Sequence, residues 1–274
     1  MNRETHPDRN VSSYCEFPPP VALQEHVLCL WTQSILCSPG EYVHRVLPDG
    51  CIDIVVINHE APIVVGPWTE SFTARFSPGT TVVGARFHPG RATGVLGLPA
   101  STLLNQSVAL RDIWSNAAHE RFARVTDAPT LPNRLVALDA ALHARLADAV
   151  PLDQDVSAAI YWLARYPNGR VEQLSQWLGL SHRQLQRRFW VAVGYGPKMF
   201  HSVLRFQRLL HLASSVREPQ SLARLAAAAG YSDQAHMTRE VGRYSGSPPA
   251  RLLRSAACTL RMSNLFKTDA GSPA

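Results

Sequence analysis

Two stretches of this chain carry the same ordered set of residues, and that internal repeat restricts the fold more than any other feature. Leu174, Gly179 and Ser181 recur 51 positions later as Leu225, Gly230 and Ser232. Leu185, Arg187, Phe189, Gly194 and Pro197 recur 52 positions later as Met237, Arg239, Val241, Gly246 and Pro249. Each copy reads as a short helix, a glycine turn and a second, capped helix. The one-residue slip adds a residue at the start of the later helix of the second copy, so Asp233 rather than Ser232 is expected to cap it.

In the first copy, Glu172 to Leu178 is an amphipathic helix stopped by Gly179, which tolerates the left-handed turn conformation. Ser181 and Gln184 have capping-box spacing, and Leu180 and Leu185 flank the cap as an apolar staple. Leu185 and Phe189, four apart, face the core. The opposite face then centres on Arg187, with Arg183 and Gln184 on either side and Gln186 at its edge. Arginine can pair bidentately with guanine and glutamine with adenine, so this face suits a major groove. His182 and Arg188 complete the candidate set, with Arg188 expected at a phosphate. Met199 to Ser214 reads as a connecting helix with Val203, Phe206, Leu209 and Leu210 on its apolar side. Such a connector would hold two helix-turn-helix units at a spacing fit for adjacent major grooves, about 34 Å apart.

Charge agrees with this reading. Between Asp155 and Arg261 there are fifteen Lys and Arg against five Asp and Glu, a balance of +10, while the rest of the chain carries −4. Basic character confined to the repeat is the footprint of a polyanion partner. The 274 residues, 46% hydrophobic and 18% charged, suffice for two domains with real cores. No apolar run approaches a membrane span, and the polar start MNRETHPDRN has no secretory h-region. The five cysteines, Cys15, Cys29, Cys37, Cys51 and Cys258, include no CxxC pair. A reducing cytoplasm is therefore the expected location.

The residues Gly230-Tyr231-Ser232-Asp233-Gln234, Met237-Thr238-Arg239 and Gly246-Ser247-Pro248-Pro249 resemble the carboxy-terminal signature of AraC/XylS-type transcriptional regulators. Leu180-Ser181, Leu185-Gln186-Arg187-Arg188-Phe189 and Gly194-Tyr195-Gly196-Pro197 resemble the first half of the same domain, so the likeness spans roughly Val156 to Ala256. It implies base-reading positions at Arg183, Gln186 and Arg187, and at Gln234, Ala235, His236, Thr238 and Arg239. Met237 and Val241 stand where that family usually has phenylalanines. Ala235, Glu240 and Gly242 replace Arg183, Arg188 and Trp190 of the first copy. The first unit is accordingly expected to be the stronger reader.

From Val21 to Leu110 short β-branched runs alternate with Pro-Asp-Gly, Gly-Pro, Ser-Pro-Gly and Pro-Gly turns, the pattern of an antiparallel sandwich or small barrel. Arg45 to Gly50, Asp53-Ile54, Gly66-Pro67, Gly84 to Gly90 and Leu110 to Trp114 resemble an uncharacterised input domain found ahead of such DNA-binding domains. The likeness implies a cupin-like fold that senses a ligand or mediates dimerisation. Arg45, Asp49, Asp53, Arg86 and His88 are candidates to line a polar pocket, with Asp49 equally a turn residue and Arg86 equally a member of a surface pair. His44, His59 and His88 stand alone in sequence, so no metal and no cofactor are expected. Leu135, Leu138, Ala141, Leu142 and Leu146 form one helical stripe, read either as packing on the β domain or as a dimer seam.

The expected architecture is α+β: a tail to residue 20, a β-rich input domain over 21–115, a helical linker over 116–154, a double helix-turn-helix over 155–258, and a tail from 259. The expected function is sequence-specific binding of double-stranded DNA, modulated by a small-molecule effector, with RNA polymerase and a second copy of the chain as further candidate partners. No catalytic residue is expected. The chain lacks Gly-x-Ser-x-Gly, a P-loop and His-Glu-x-x-His, which leaves a β-domain enzyme carrying a DNA-targeting module as the alternative. A chromosome-organising protein would need only phosphate contacts and no capped Arg/Gln helices.

Overall fold

Ser12–Phe17 alternates half-buried and exposed residues and forms β1, the edge strand of an antiparallel sheet. The computed structural model describes residues 12–36, 40–114, 116–215 and 221–259. The expected tails up to residue 11 and from residue 260 lie outside the described residues. The amino-terminal tail expected to reach residue 20 ends earlier, because Ser12 to Phe17 pairs in register with Ile35 to Leu30. Polar Ser12, Tyr14 and Glu16 point toward the interior there, so the usual apolar strand signal is absent.

The sheet continues with β2 (Val27–Ile35), while β3 (Tyr42–Val46) pairs elsewhere. β4 (Ile52–Ile57), β5 (Ile63–Val65), β6 (Phe72–Phe76), β7 (Thr81–Phe87) and β8 (Ser107–Ala109) follow. Six strands run in the order β1-β2-β7-β4-β5-β8, and β3 and β6 form a separate two-stranded ribbon. Period-2 alternation sorts the central strands into two faces. Ile54, Val56, Val83, Ala85 and Phe87 join one core cluster, while Cys29, Trp31, Val55 and Val82 line the opposite face, with Phe76 of the ribbon packed on them.

Helices cover the first face. α1 (Ala92–Leu96) follows the Pro-Gly turn. α2 (Asn116–Asp127) brings Phe122 and Val125, and α3 (Leu131–Leu146) brings Leu138, Ala141 and Leu142, all buried against the sheet. The expected linker is thus the helical layer of the β domain up to Leu146, and the Leu135–Leu146 stripe is its core-facing side. Thr130 caps α3 by accepting from the Asn133 N–H. Arg134, also in α3, donates to the carbonyls of Val125 and Val56 and to Thr81.

The carboxy-terminal domain is all helix: α4 (Gln154–Arg165), α5 (Val171–Leu178), α6 (His182–Ala192), α7 (Pro197–Ser215), α8 (Leu222–Ala229), α9 (Gln234–Ser245) and α10 (Pro249–Thr259). α7 is the spine, with Phe200, Val203, Phe206, Leu209 and Leu210 all buried. Leu185 and Phe189 of α6 and Met237 and Val241 of α9 fill the same cluster. Filling that spine from both sides fixes the two units to one rigid helix. Among the described residues, no helix is long and apolar enough to cross a membrane.

Candidate nucleic-acid interface

The two reading helices begin as local rules dictate. α5 ends where Gly179 turns left-handed at φ +65°, and the Leu180 N–H returns to the Ser175 carbonyl. The Ser181 Oγ accepts from the Gln184 N–H at 3.2 Å while the Gln184 Oε1 accepts from the Ser181 N–H at 2.9 Å, closing the capping box. In the second unit Gly230, at φ +93°, ends α8. Asp233 caps α9, its Oδ1 accepting from the His236 N–H at 2.7 Å. That hydrogen bond is the main reason the Asp233 carboxyl titrates below the usual carboxylate range.

Burial separates the candidate readers. His182, Arg183, Gln184 and Arg187 are exposed on α6, while Gln186 is half-buried. A Cβ on Gly196 would stand 2.3 Å from the Gln186 Nε2, so that amide lies against the exit turn. On α9, Gln234, Ala235, Thr238 and Arg239 are exposed and His236 is half-buried. The His236 Nδ1 lies 3.1 Å from the Ser232 Oγ and its Nε2 lies 3.5 Å from Glu240. The Thr238 hydroxyl donates back to the Gln234 carbonyl. Its methyl group is what remains for a partner.

Arg188, expected at a phosphate, and Glu240, which replaces it in the second copy, both turn inward. The Arg188 Nη1 lies 2.8 Å from Asp153 and 3.2 Å from Asp155 at the start of α4. The Glu240 Oε1 accepts from the Ser202 hydroxyl at 2.8 Å and lies 3.5 Å from the Arg205 guanidinium. Both sit on the flank of the reading helix that touches its neighbour rather than on the outer face. By contrast, Arg183, Arg187 and Arg239 form no ion pair with the described residues, so their guanidinium groups are presented outward.

Contacts that sequence patterns did not foresee join the two domains behind the reading faces. The Arg45 Nη1, from β3, donates to the Ser245 carbonyl at 3.0 Å and to the Ser247 Oγ at 2.7 Å, at the end of α9. The Gln207 amide of α7 donates to the Pro48 carbonyl at 2.6 Å. A Cβ on Gly50 would meet the Phe200 ring at 2.8 Å, and one on Gly194 would meet Pro67 at 2.7 Å. Leu47 and Leu104 pack on the carboxy-terminal core. Arg45 was expected in the polar pocket, and no sequence signal pointed to partners 200 and 202 residues away.

Of the proposed polar pocket, three residues come together. Arg86 makes a bidentate pair with Asp53, Nε to Oδ1 at 3.0 Å and Nη2 to Oδ2 at 2.9 Å, with Asp49 at 3.7 Å. Burial pulls the guanidinium down, but Asp53 and Asp49 more than offset it and keep it charged. Asp49 is also a turn residue, accepting from the Cys51 N–H. Arg45 leaves for the helical domain, and His88 sits beyond the end of β7. There burial and Arg91 hold the His88 imidazole below its usual range. His44 stacks on Tyr42, and the His59 ring reaches the Thr126 carbonyl, so the three histidines occupy separate places. Among the described residues, no three His, Cys, Asp or Glu side chains cluster as a metal site would require.

Comparison with known proteins agrees with this geometry. Residues 174–255 match the family described as helix-turn-helix domain, and residues 15–109 match the domain of unknown function DUF6597. The carboxy-terminal domain is a DNA-binding helix-turn-helix domain of the AraC type, preceded by an antiparallel β domain. No curated protein sequence matches the chain. Among solved structures, it is similar to ToxT from Vibrio cholerae. One crystal form is 8% identical at a TM-score of 0.41, over 78% of this chain and 97% of that one. ToxT from Vibrio cholerae O395 is 11% identical at a TM-score of 0.42, over 80% of this chain and 98% of that one.

Proposed function

We propose that this chain, which carries a helix-turn-helix domain of the AraC type over residues 174–255, is a cytoplasmic transcriptional regulator that reads two adjacent major grooves. One observation carries the reading: two capped helices on one rigid spine each present outward side chains, Arg183, Gln184 and Arg187 on α6 and Gln234, Ala235, Thr238 and Arg239 on α9. Arginine offers two donors to guanine, the Gln234 amide one donor and one acceptor to adenine, and Ala235 and the Thr238 methyl suit a thymine methyl.

The β domain is the input in this reading. It touches Ser245, Ser247, Gln207, Phe200 and Gly194, all behind the reading faces, and therefore leaves the groove-facing surface uncovered. A small molecule or partner held by that domain acts by moving the spine that carries both units rather than by blocking DNA. RNA polymerase and a second copy of the chain are its further partners. The basic surface serves phosphates and makes binding depend on salt.

Genome-wide mapping of bound fragments, followed by footprinting, tests the reading. Two protected segments on one DNA face, one helical turn apart, are expected. Uniform affinity for all sequences would overturn it.

A further inference from the structure

The repeat predicts that residues 52 apart do the same work, yet Arg188 and Glu240 carry opposite charges. A shared phosphate contact is excluded for such a pair, because a carboxylate is repelled where a guanidinium is drawn in. What the two positions share is the neighbour they touch. Arg188 is paired with Asp153 and Asp155 of the helix that leads into the first unit. Glu240 is paired with Arg205 and Ser202 of α7, the helix that leads into the second. The polarity is exchanged: acid on the leading helix and base on the reading helix in the first unit, the reverse in the second.

Both joints are built into further structure. The Asp153 Oδ1 also caps α4, accepting from the Asp155 and Val156 N–H groups, so the anchor for Arg188 is itself fixed. Arg205 donates to the Ser202 Oγ at 2.8 Å and lies 5.8 Å over the Tyr231 ring, which tops the turn between α8 and α9. The second joint is the more enclosed. Arg205 and Glu240 keep 15% and 17% of their side-chain surface, against 36% for Arg188 and 29% for Asp153.

We infer that Arg188 and Glu240 are positioning residues that fix the orientation of each reading helix through ion pairs of opposite sense, and so set the base preference of each half-site. Neither touches DNA. This rests on the regulator reading above, since preference has meaning only for a protein that reads bases. Each joint grips the flank of its helix, where a small rotation would swing Arg187 or Arg239 away from a base edge. The partly exposed Arg188 joint is worth more in geometry than in stability, because such an ion pair adds little to folding.

The test compares the wild-type chain, Glu240→Gln, and the exchanged double variant Glu240→Arg with Arg205→Glu, against operators bearing single-base changes in each half-site. Glu240→Gln can keep the Ser202 hydrogen bond, and the exchange leaves net charge unchanged, so ratios of affinity rather than affinities are read. In Glu240→Gln, discrimination in the half-site read by α9 should fall about tenfold, with the other half-site unaffected. The exchanged variant should recover most of it. Arg188→Gln is the matching substitution in the first unit; it leaves the Asp153 cap of α4 in place, and discrimination by α6 alone should fall. It keeps the proposal testable should the exchange fail to fold, as judged by thermal unfolding. Discrimination unchanged in Glu240→Gln, or lost equally in both half-sites, overturns the proposal alone. A folded exchange no better than Glu240→Gln also overturns it. A wild-type chain with no preference overturns the regulator reading and this proposal with it.

Discussion

Arg45 lies in the β domain and Ser247 at the far end of the second helix-turn-helix, yet the Arg45 Nη1 stands 2.7 Å from the Ser247 hydroxyl. The same nitrogen reaches the Ser245 carbonyl at the carboxy-terminal end of α9, where the helix dipole favours a cation. Arg45→Ala should lower stability by about 1 kcal/mol, less than a charge-assisted hydrogen bond usually contributes because the residue is exposed. The variant should also be cleaved faster by protease between the two domains, while its DNA affinity at fixed salt stays within about threefold of wild type. Melting curves and limited proteolysis check both. Unchanged cleavage would show that the contact does not hold the domains together.

Arg187→Ala should relax base preference in the half-site read by α6 and cost about 1–3 kcal/mol. Arg239→Ala should matter less, because Ala235 offers only a methyl group where the first unit offers Arg183, and Thr238 only a methyl group where it has Gln186. The inward turn of Glu240 removes repulsion from phosphate as a reason for this asymmetry; the difference in outward side chains remains. Titrations against a panel of operator changes measure it. If Arg239→Ala is the more damaging, the second unit is the stronger reader.

His201 is buried on α7, with its Nε2 3.1 Å from the Tyr166 carbonyl. Burial, helped by the charge of Arg205, holds its pKa down to about 4. An unfolded histidine titrates near pH 6.5, so acid favours the unfolded chain. Stability is therefore complete above about pH 6.5 and declines between about 6.5 and 4, by up to about 1.4 kcal/mol per pH unit. Histidine replaced by glutamine, His201→Gln, keeps an N–H donor for the carbonyl and should flatten that decline. Denaturant midpoints across the range decide the matter.

Gly50 has φ +81° and no room for a side chain, since a Cβ would meet Phe200 at 2.8 Å and the Tyr195 hydroxyl at 3.3 Å. Gly50→Ala should cost about 2 kcal/mol or more, combining backbone strain with overpacking at the domain junction. Gly79 has a similar φ, +84°, with open space around it. Gly79→Ala reports the strain alone, and equal losses at both sites would mean that the junction is not tightly packed.

The parts that could be read from sequence are those governed by neighbours in the chain. Ser181 with Gln184, Gly179, and Asp233 as the second cap follow from spacings of two to five residues, and the structure has each of them. The connecting helix was visible through its apolar stripe. Strand β1 was not, because an edge strand over a polar interior needs no apolar alternation. The α3 stripe was visible, but packing on the β domain and a dimer seam were both open, and the core it joins with the sheet decides for the former. Arg188 and Glu240 looked like surface charges because their partners lie 35 residues upstream in each case, on another helix. Opposite signs at repeat-equivalent positions were the clue that neither was meant for a phosphate.

The Pro48–Gly50 turn has two neighbours. Its Asp49 faces Arg86 inside the β domain, while Pro48 and Gly50 rest on Gln207 and Phe200 of α7. Coupling across such a junction is equal in both directions. Whatever an occupant of the β domain does to operator affinity, the operator does to that occupant by the same factor. A small-molecule effector of the kind proposed above would therefore be held more tightly, or less, once operator DNA is added.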